Sequence, residues 1–238
     1  MSEAVRRNRA AISPREVLAA SAFFRVLPAS SRDRLAAAMR TTVLSNDEVL
    51  LANDSRRRLW LVLSGSLRVV LGAGERATTI GVIGPGGFYN VAALLRRRGP
   101  STEARAVGQT RVAVIEGSVL DRLIDEDAAL KEHIGAIVMA KLNAVFILFR
   151  DAIDAPLPER IARRLLSMAL SAGAIVPDTA LRLTQGMLAE MLGASRTRVS
   201  EELAHLERAG ILRLGYRTIH ISEADKLREL AGPDVEAS

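Results

Sequence analysis

The chain has 238 residues, 49% hydrophobic and 25% charged, enough for one large domain or two modest ones with their own cores. It has no cysteine, which excludes disulfides, iron–sulfur clusters and Cys-ligated zinc, and its three histidines (His133, His205, His220) are too scattered for a metal cluster. The net charge of +6 sits mostly at one end: residues 1–40 carry eight Arg against three acids, whereas residues 156–238 balance eleven bases with eleven acids.

The basic arm Met1 to Ala11 lacks the apolar core of a signal peptide, so a cytoplasmic protein is expected. From Ser13 to Thr42 apolar residues recur at helical spacing, with Phe23-Phe24 and Leu27-Pro28 forming a turn and Leu35, Ala36 and Met39 one helical face. From Val43 to Glu116 the texture changes. Short runs rich in Val, Ile and Leu (Val49–Leu51, Leu59–Leu63, Leu67–Leu71, Thr78–Ile83, Ala104–Val107, Val112–Ile115) alternate with the turn signals Asn53-Asp54, Ser64-Gly65, Gly72–Gly74 and Gly84–Gly87. That spacing predicts an antiparallel β sandwich or roll. The runs Arg56–Arg58 and Arg96–Arg98 read as solvated charge.

Residues 119–153 read as a single helix with two apolar stripes, Leu130, Ile134, Ile137 and then Val138, Leu142, Val145, Phe149. Lys141 and Asn143 interrupt it, so it does not read as a membrane span, and no membrane partner is expected. A helix apolar on two sides must bury both. One face suits the β domain; the other suits a second subunit, with complete burial inside one chain as the alternative. Asp154-Ala155-Pro156-Leu157-Pro158 marks a hinge, because each proline disfavours helix at the preceding residue. The fold class is therefore α+β in three parts: N-terminal helices and roll (1–118), a dimerisation helix with hinge (119–155), and a C-terminal domain (156–238).

That last part reads as helix 159–171, strand 181–183, helices 185–192 and 196–209, strands 211–214 and 218–221, and a polar tail after Gly232. Its centre, Thr184 to Val199, is a helix-turn-helix. Thr184 and Ser195 are N-cap residues, Ala189 is small where helices cross, and Gly193 suits the left-handed conformation past a helix end. Leu188, Leu192, Val199 and Leu203 form the shared core, and the hairpin that follows is a wing. The second helix would enter the major groove of double-stranded DNA with Arg196, Thr197, Ser200 and Glu201 near its N-terminal end. Arg196 can pair bidentately with guanine, and Arg198, Arg213 and Arg217 suit phosphates. No nucleophile–base pair, carboxylate pair or phosphate-cradling glycine loop is evident, so an enzyme is not expected and no cofactor is implied.

This order of elements resembles the Crp/Fnr family of bacterial transcription regulators, over nearly the whole chain. The stretch that carries the resemblance furthest is Leu183–Ile221, with Gly193-Ala194-Ser195-Arg196 and Leu203 to Ile211 close to the family pattern. Ser64-Gly65-Ser66, Gly86-Gly87-Phe88 and Glu159 to Leu166 add to it. The resemblance implies a homodimer reading a two-fold-symmetric operator, and contact with RNA polymerase if it activates transcription.

The departures bear on the effector. Cyclic-nucleotide-binding members have Phe-x-Gly-Glu after the roll, the Glu holding the ribose, and then an Arg-Ser pair on the cyclic phosphate. Here the run is Phe88-Tyr89-Asn90-Val91, the Arg falls at Pro100 or Ser101, and the Ser at Ser101 or Thr102. Two adenine-touching polar positions fall at Val145 and Phe146. An enclosed phosphate without its arginine costs several kcal/mol, so cyclic AMP is not expected. The resemblance offers two other sensors: iron–sulfur sensing lacks its cysteines, and haem sensing lacks a histidine in the β domain. The converted positions either line an apolar effector pocket or simply fill the old cavity. The recognition helix departs too, with Thr197 and Glu201 where the family commonly has Glu and Arg. A competing reading is an interaction module whose winged domain contacts protein, which the balanced charge of residues 156–238 would suit.

Overall fold

A computed structural model describes residues 12–51, 55–72, 77–97, 102–171 and 178–232. The basic arm, Asn53-Asp54, Arg98, Ser101 and the polar tail, all singled out by the sequence, lie outside these residues.

Ser13 opens the first helix, α1 (Pro14–Ala20), with a capping box: its hydroxyl accepts from the Glu16 amide while the Glu16 carboxylate accepts from the Ser13 amide. The turn at Phe23-Phe24 leads to α2 (Ala29–Ala38). Eight strands follow: β1 (Arg40–Leu44), β2 (Val49–Leu51), β3 (Leu59–Ser64), β4 (Leu67–Leu71), β5 (Thr78–Ile83), β6 (Phe88–Tyr89), β7 (Thr102–Ala106) and β8 (Thr110–Ile115). They pair antiparallel in two four-stranded sheets, in the orders β1-β8-β3-β6 and β2-β7-β4-β5. This is the expected roll, with β1 and β6 in addition to the six runs read from sequence.

Strand β3 shows why one apolar run carries no alternation. Trp60 and Val62 face the roll interior with Leu44, Leu50, Leu67, Tyr89 and Val112, whereas Leu59, Leu61 and Leu63 face the helical layer with Leu18, Phe24, Phe88 and Leu120. Both faces are buried, so both are apolar.

The expected continuous helix over 119–153 is two helices, α3 (Gly117–Glu126) and α4 (Ala128–Asp154). Asp127 divides them, because its carboxylate accepts the Leu130 amide at 3.0 Å and so caps α4. Two arginines of the expected solvated runs also form ion pairs. Arg57 binds Asp121 at 2.6 Å and Arg96 binds Asp125, both on α3.

Leu130, Ile134 and Ile137 of the expected dimerisation helix are 1%, 7% and 2% exposed and pack on the roll side of the chain, so this stripe is the face that lies on the β domain and not a dimer surface. The open apolar line is Met139, Leu142, Val145 and Phe146, the last two 60% and 63% exposed. The side chain of Phe149 lies outside the described set. Between the two surfaces sits Lys141, its Nζ 4.3 Å and 4.9 Å from the ring centres of Phe23 and Phe88. His133 places Nε2 2.5 Å from the Phe23 carbonyl oxygen.

Only Ala155 and Pro156 separate α4 from α5 (Leu157–Ser171), and Pro158 falls in the first turn of α5, where its missing amide costs little. Strand β9 (Thr179–Leu181), α6 (Gln185–Leu192), α7 (Arg196–Arg208), β10 (Leu212–Gly215), β11 (Thr218–Ile221) and α8 (Ala224–Ala231) complete the chain, with a sheet in the order β10-β11-β9. Leu188, Leu192, Val199 and Leu203 share one core with Ile161, Leu165 and Leu227.

Burial lowers the Lys141 ammonium from an ordinary 10.5 to about 8. Between those values the folded chain holds fewer protons than the unfolded chain, so this group makes stability rise with pH across that window. The stability advantage of a Lys141→Met variant, read from urea midpoints, should therefore be large near pH 7 and shrink near pH 10. A difference that does not change with pH would contradict this role for Lys141.

Candidate nucleic-acid interface

Three local signals set the helix-turn-helix. Thr184 Oγ1 accepts the Met187 amide at 3.1 Å and Ser195 Oγ accepts the Arg198 amide at 3.3 Å, so both helices are capped as their sequences imply. Gly193 closes α6 at φ 58°, where its amide and that of Ala194 answer the Glu190 and Ala189 carbonyls at 3.1 and 3.0 Å. The buried methyl of Ala189 lets the helices cross closely.

This arrangement leaves the N-terminal end of α7 free. Arg196, Thr197, Arg198 and Glu201 are exposed and Ser200 is half-buried, while Val199 and Leu203 point into the core. Neither Arg196 nor Arg198 has an acidic partner among the described residues. Their charge adds to the positive end of the helix dipole, so this end of α7 favours an anionic surface. Thr184 and Ser195 direct their hydroxyls to capping.

The wing is held to α7 by Glu207, whose Oε1 accepts the Leu214 amide at 2.7 Å. Gly215 and Thr218 pair across its two-residue tip, Tyr216-Arg217. Arg217 is exposed with φ 56°, a left-handed conformation, and Tyr216 is 91% exposed. Sequence reasoning passed over Tyr216; an aromatic side chain inside a hairpin tip was the available signal. Arg213 is already engaged. Its Nη2 lies 2.8 Å from Asp178 Oδ1, and His220 Nδ1 lies 3.2 Å from the same oxygen. The hydrogen bond from Arg213 holds the Asp178 carboxyl below its ordinary range.

The described positions read as an effector pocket divide between the roll interior, the helical layer and the exposed face of α4. Strand alternation splits Phe88 from Tyr89. Phe88 packs edge-on to Phe23 at 5.1 Å in the helical layer, and Tyr89 points into the roll. Val91 opens a 3₁₀ turn (Val91–Leu95) and also packs on the helical side. Val145 continues the spacing of Leu130, Ile134, Ile137 and Lys141, but burial ends at Lys141, and Val145 and Phe146 are exposed. Inside the roll the Tyr89 hydroxyl donates to the Thr102 carbonyl oxygen at 2.8 Å and lies 3.2 Å from Thr102 Oγ1. Thr102 is one of the two positions at which the resemblance puts a phosphate-binding serine. Trp60 fills the same interior under the Arg58 guanidinium, 5.0 Å from its ring centre. Asn90, left-handed at φ 72°, donates from Nδ2 to the Arg58 carbonyl oxygen at 2.8 Å.

Residues 159–230 match the Crp-like helix-turn-helix domain and residues 40–127 the cyclic nucleotide-binding domain. The chain is 25% identical over 180 residues to the HTH-type transcriptional regulator Cmr of Mycobacterium tuberculosis, covering 76% of this chain and 71% of that protein. To the cyclic AMP receptor protein of Thermus thermophilus it is 28% identical over 186 residues, covering 75% of this chain and 81% of that one. Its fold is similar to that of FixK2 from Bradyrhizobium japonicum, with a TM-score of 0.69 at 22% identity over 82% of this chain and 98% of the other. The matches span both the roll and the winged half, and the chain belongs to the Crp/Fnr family of DNA-binding transcription regulators, a family of regulators and not of enzymes.

Proposed function

We propose that this chain acts in the cytoplasm as a homodimer that reads a two-fold-symmetric operator, and that it does so without cyclic AMP, an iron–sulfur cluster or haem. The observation that carries the DNA reading is the capped, unobstructed N-terminal end of α7, with Arg196 and Arg198 free of acidic partners among the described residues. In a major groove, Arg196 would take guanine O6 and N7, Glu201 a cytosine amine and Thr197 a thymine methyl, with Ser200 adaptable to either kind of base edge. Arg198, Arg217 and Arg213 would hold phosphates. Arg213 can turn from Asp178 at little cost, because an exposed ion pair is worth at most about 1 kcal/mol. Two copies of α7 would have to stand about 34 Å apart to meet successive turns of DNA.

The effector reading rests on the roll. The name of the Thermus thermophilus relative pairs that protein with cyclic AMP. Here Asn90-Val91 replaces Gly-Glu, and Tyr89 occupies the oxygens of Thr102. Side chains filling the cavity account for these replacements without an apolar effector.

The test is fluorescence anisotropy of the ligand-free protein on a duplex selected from a random library. Binding should appear without any nucleotide and stay unchanged when cyclic AMP is added; binding that requires cyclic AMP would overturn the effector reading. Arg196→Ala should weaken specific binding by about 1–3 kcal/mol, and Arg217→Ala should lower the slope of log affinity against log salt by about 1. Affinity with no salt dependence would favour a winged domain that contacts protein.

A further inference from the structure

Strand β5 is an edge of its sheet, with β4 as its one strand neighbour among the described residues. Its register jumps from Val69↔Gly81 to Val70↔Thr79, so Ile80 is an extra, bulged residue. An edge strand leaves amides and carbonyls without ladder partners, and such groups are answered by other parts of the fold or by water. At this bulge they are answered from the winged half. The Thr79 amide donates to Glu190 Oε2 on α6 at 3.2 Å, and Arg164 Nη2 on α5 donates to the Ile80 carbonyl oxygen at 3.2 Å. A carboxylate meets the donor and a guanidinium meets the acceptor, so both hydrogen bonds are charge-assisted. The contact extends beyond this pair. Thr79 is 1% exposed, and Val82 and Val107 of the roll pack against the winged-domain core.

We propose that Glu190 and Arg164 are positioning residues for DNA binding. They fasten the winged domain to the β5 bulge and so fix the orientation in which α7 is presented. The inference rests on the DNA-binding reading above and adds a second mechanical link to the one through Ala155 and Pro156. A two-residue linker limits how far the winged domain can travel, but it leaves rotation about its own bonds free. Two hydrogen bonds to neighbouring backbone groups, on two different helices of the winged domain, remove that rotation. Glu190 lies three residues before Gly193, in the helix that packs directly on α7, so the hold acts close to the reading surface. With the bulge engaged, Arg196 to Arg198 remain exposed, so the fastened state is one in which DNA can be reached. Fastening therefore favours operator binding.

The absence of cysteine makes the test direct. Arg122→Cys on α3 and Lys226→Cys on α8, both exposed positions, take a pair of spin labels, and labelled subunits diluted into unlabelled protein report distances within one chain. The fastened protein should give one narrow distance. The double variant Glu190→Ala, Arg164→Ala should broaden it and weaken operator binding about tenfold, with the salt slope unchanged because neither residue meets phosphate. Glu190→Gln keeps an acceptor for the Thr79 amide and should preserve the narrow distance. An unchanged distance in the double variant, or operator affinity that stays level or rises, would overturn the proposal. Failure of the unsubstituted protein to bind any duplex would instead overturn the DNA reading, and the distance measurement would still decide whether the winged domain is fastened.

Discussion

Helix α4 has to bury apolar surface on two sides, and only one of them is covered by its own chain. Its first half lies on the roll, where Leu130, Ile134 and Ile137 complete the core built by Leu61, Phe88 and Leu120. Lys141 ends that seam, its charge held against two aromatic faces at the limit of the buried region. From Met139 onward an open strip runs along the other side of the helix, through Leu142, Val145 and Phe146. Four large apolar side chains in one strip are more than isolated surface residues require. A second α4 would cover them with its own copy of the same strip, as two-fold symmetry demands. The winged domain begins only two residues after this helix, so whatever fixes α4 across a dimer also limits how far α7 can travel.

The electrostatics of the winged half explain how a region of balanced charge can still favour DNA. Several of its acids are used within the protein. Glu207 takes the Leu214 amide, Asp178 holds Arg213 and His220, Glu159 pairs with Arg163 at 3.2 Å, and Glu190 takes the Thr79 amide. Arg196 and Arg198 at the start of α7 and Arg217 at the tip of the wing face outward. Net charge counts every group equally, whereas DNA approaching this end of α7 meets Arg196 and Arg198 with Glu201 as the one acid among the residues proposed to read bases. A sum over residues 156–238 suits the protein-contact reading only because it cannot register this placement.

Much of this was legible in the residues, and the exceptions have physical reasons. The helix-turn-helix could be read because Thr184, Gly193 and Ser195 act over three or four residues, the range at which a cap or a left-handed turn is decided. The strands of the roll could be read because they are short runs rich in Val, Ile and Leu and several of their turns carry glycine. Asp127 was overlooked as a helix divider because the capping geometry of its carboxylate competes with a sequence pattern that is helical on both sides. The effector pocket was misassembled for a different cause. Matching Phe88, Tyr89 and Val91 to family positions says which residues stand there, but strand alternation and the 3₁₀ turn decide which way each points. The arginine runs were taken as solvated because their partners on α3, Asp121 and Asp125, lie far away in sequence. Pairing between distant segments, as at the β5 bulge, leaves no local signal.

The most direct measurement is the sedimentation of the full chain beside a Phe146→Glu variant, with operator binding followed on the same samples. If α4 pairs through its open strip, the unsubstituted protein sediments as a dimer at micromolar concentration. The variant should then sediment as a folded monomer, because Phe146 is exposed within the chain, and lose high-affinity binding to a two-fold-symmetric duplex. An unsubstituted protein that is monomeric, or a variant that remains dimeric and binds the duplex as before, would contradict the account.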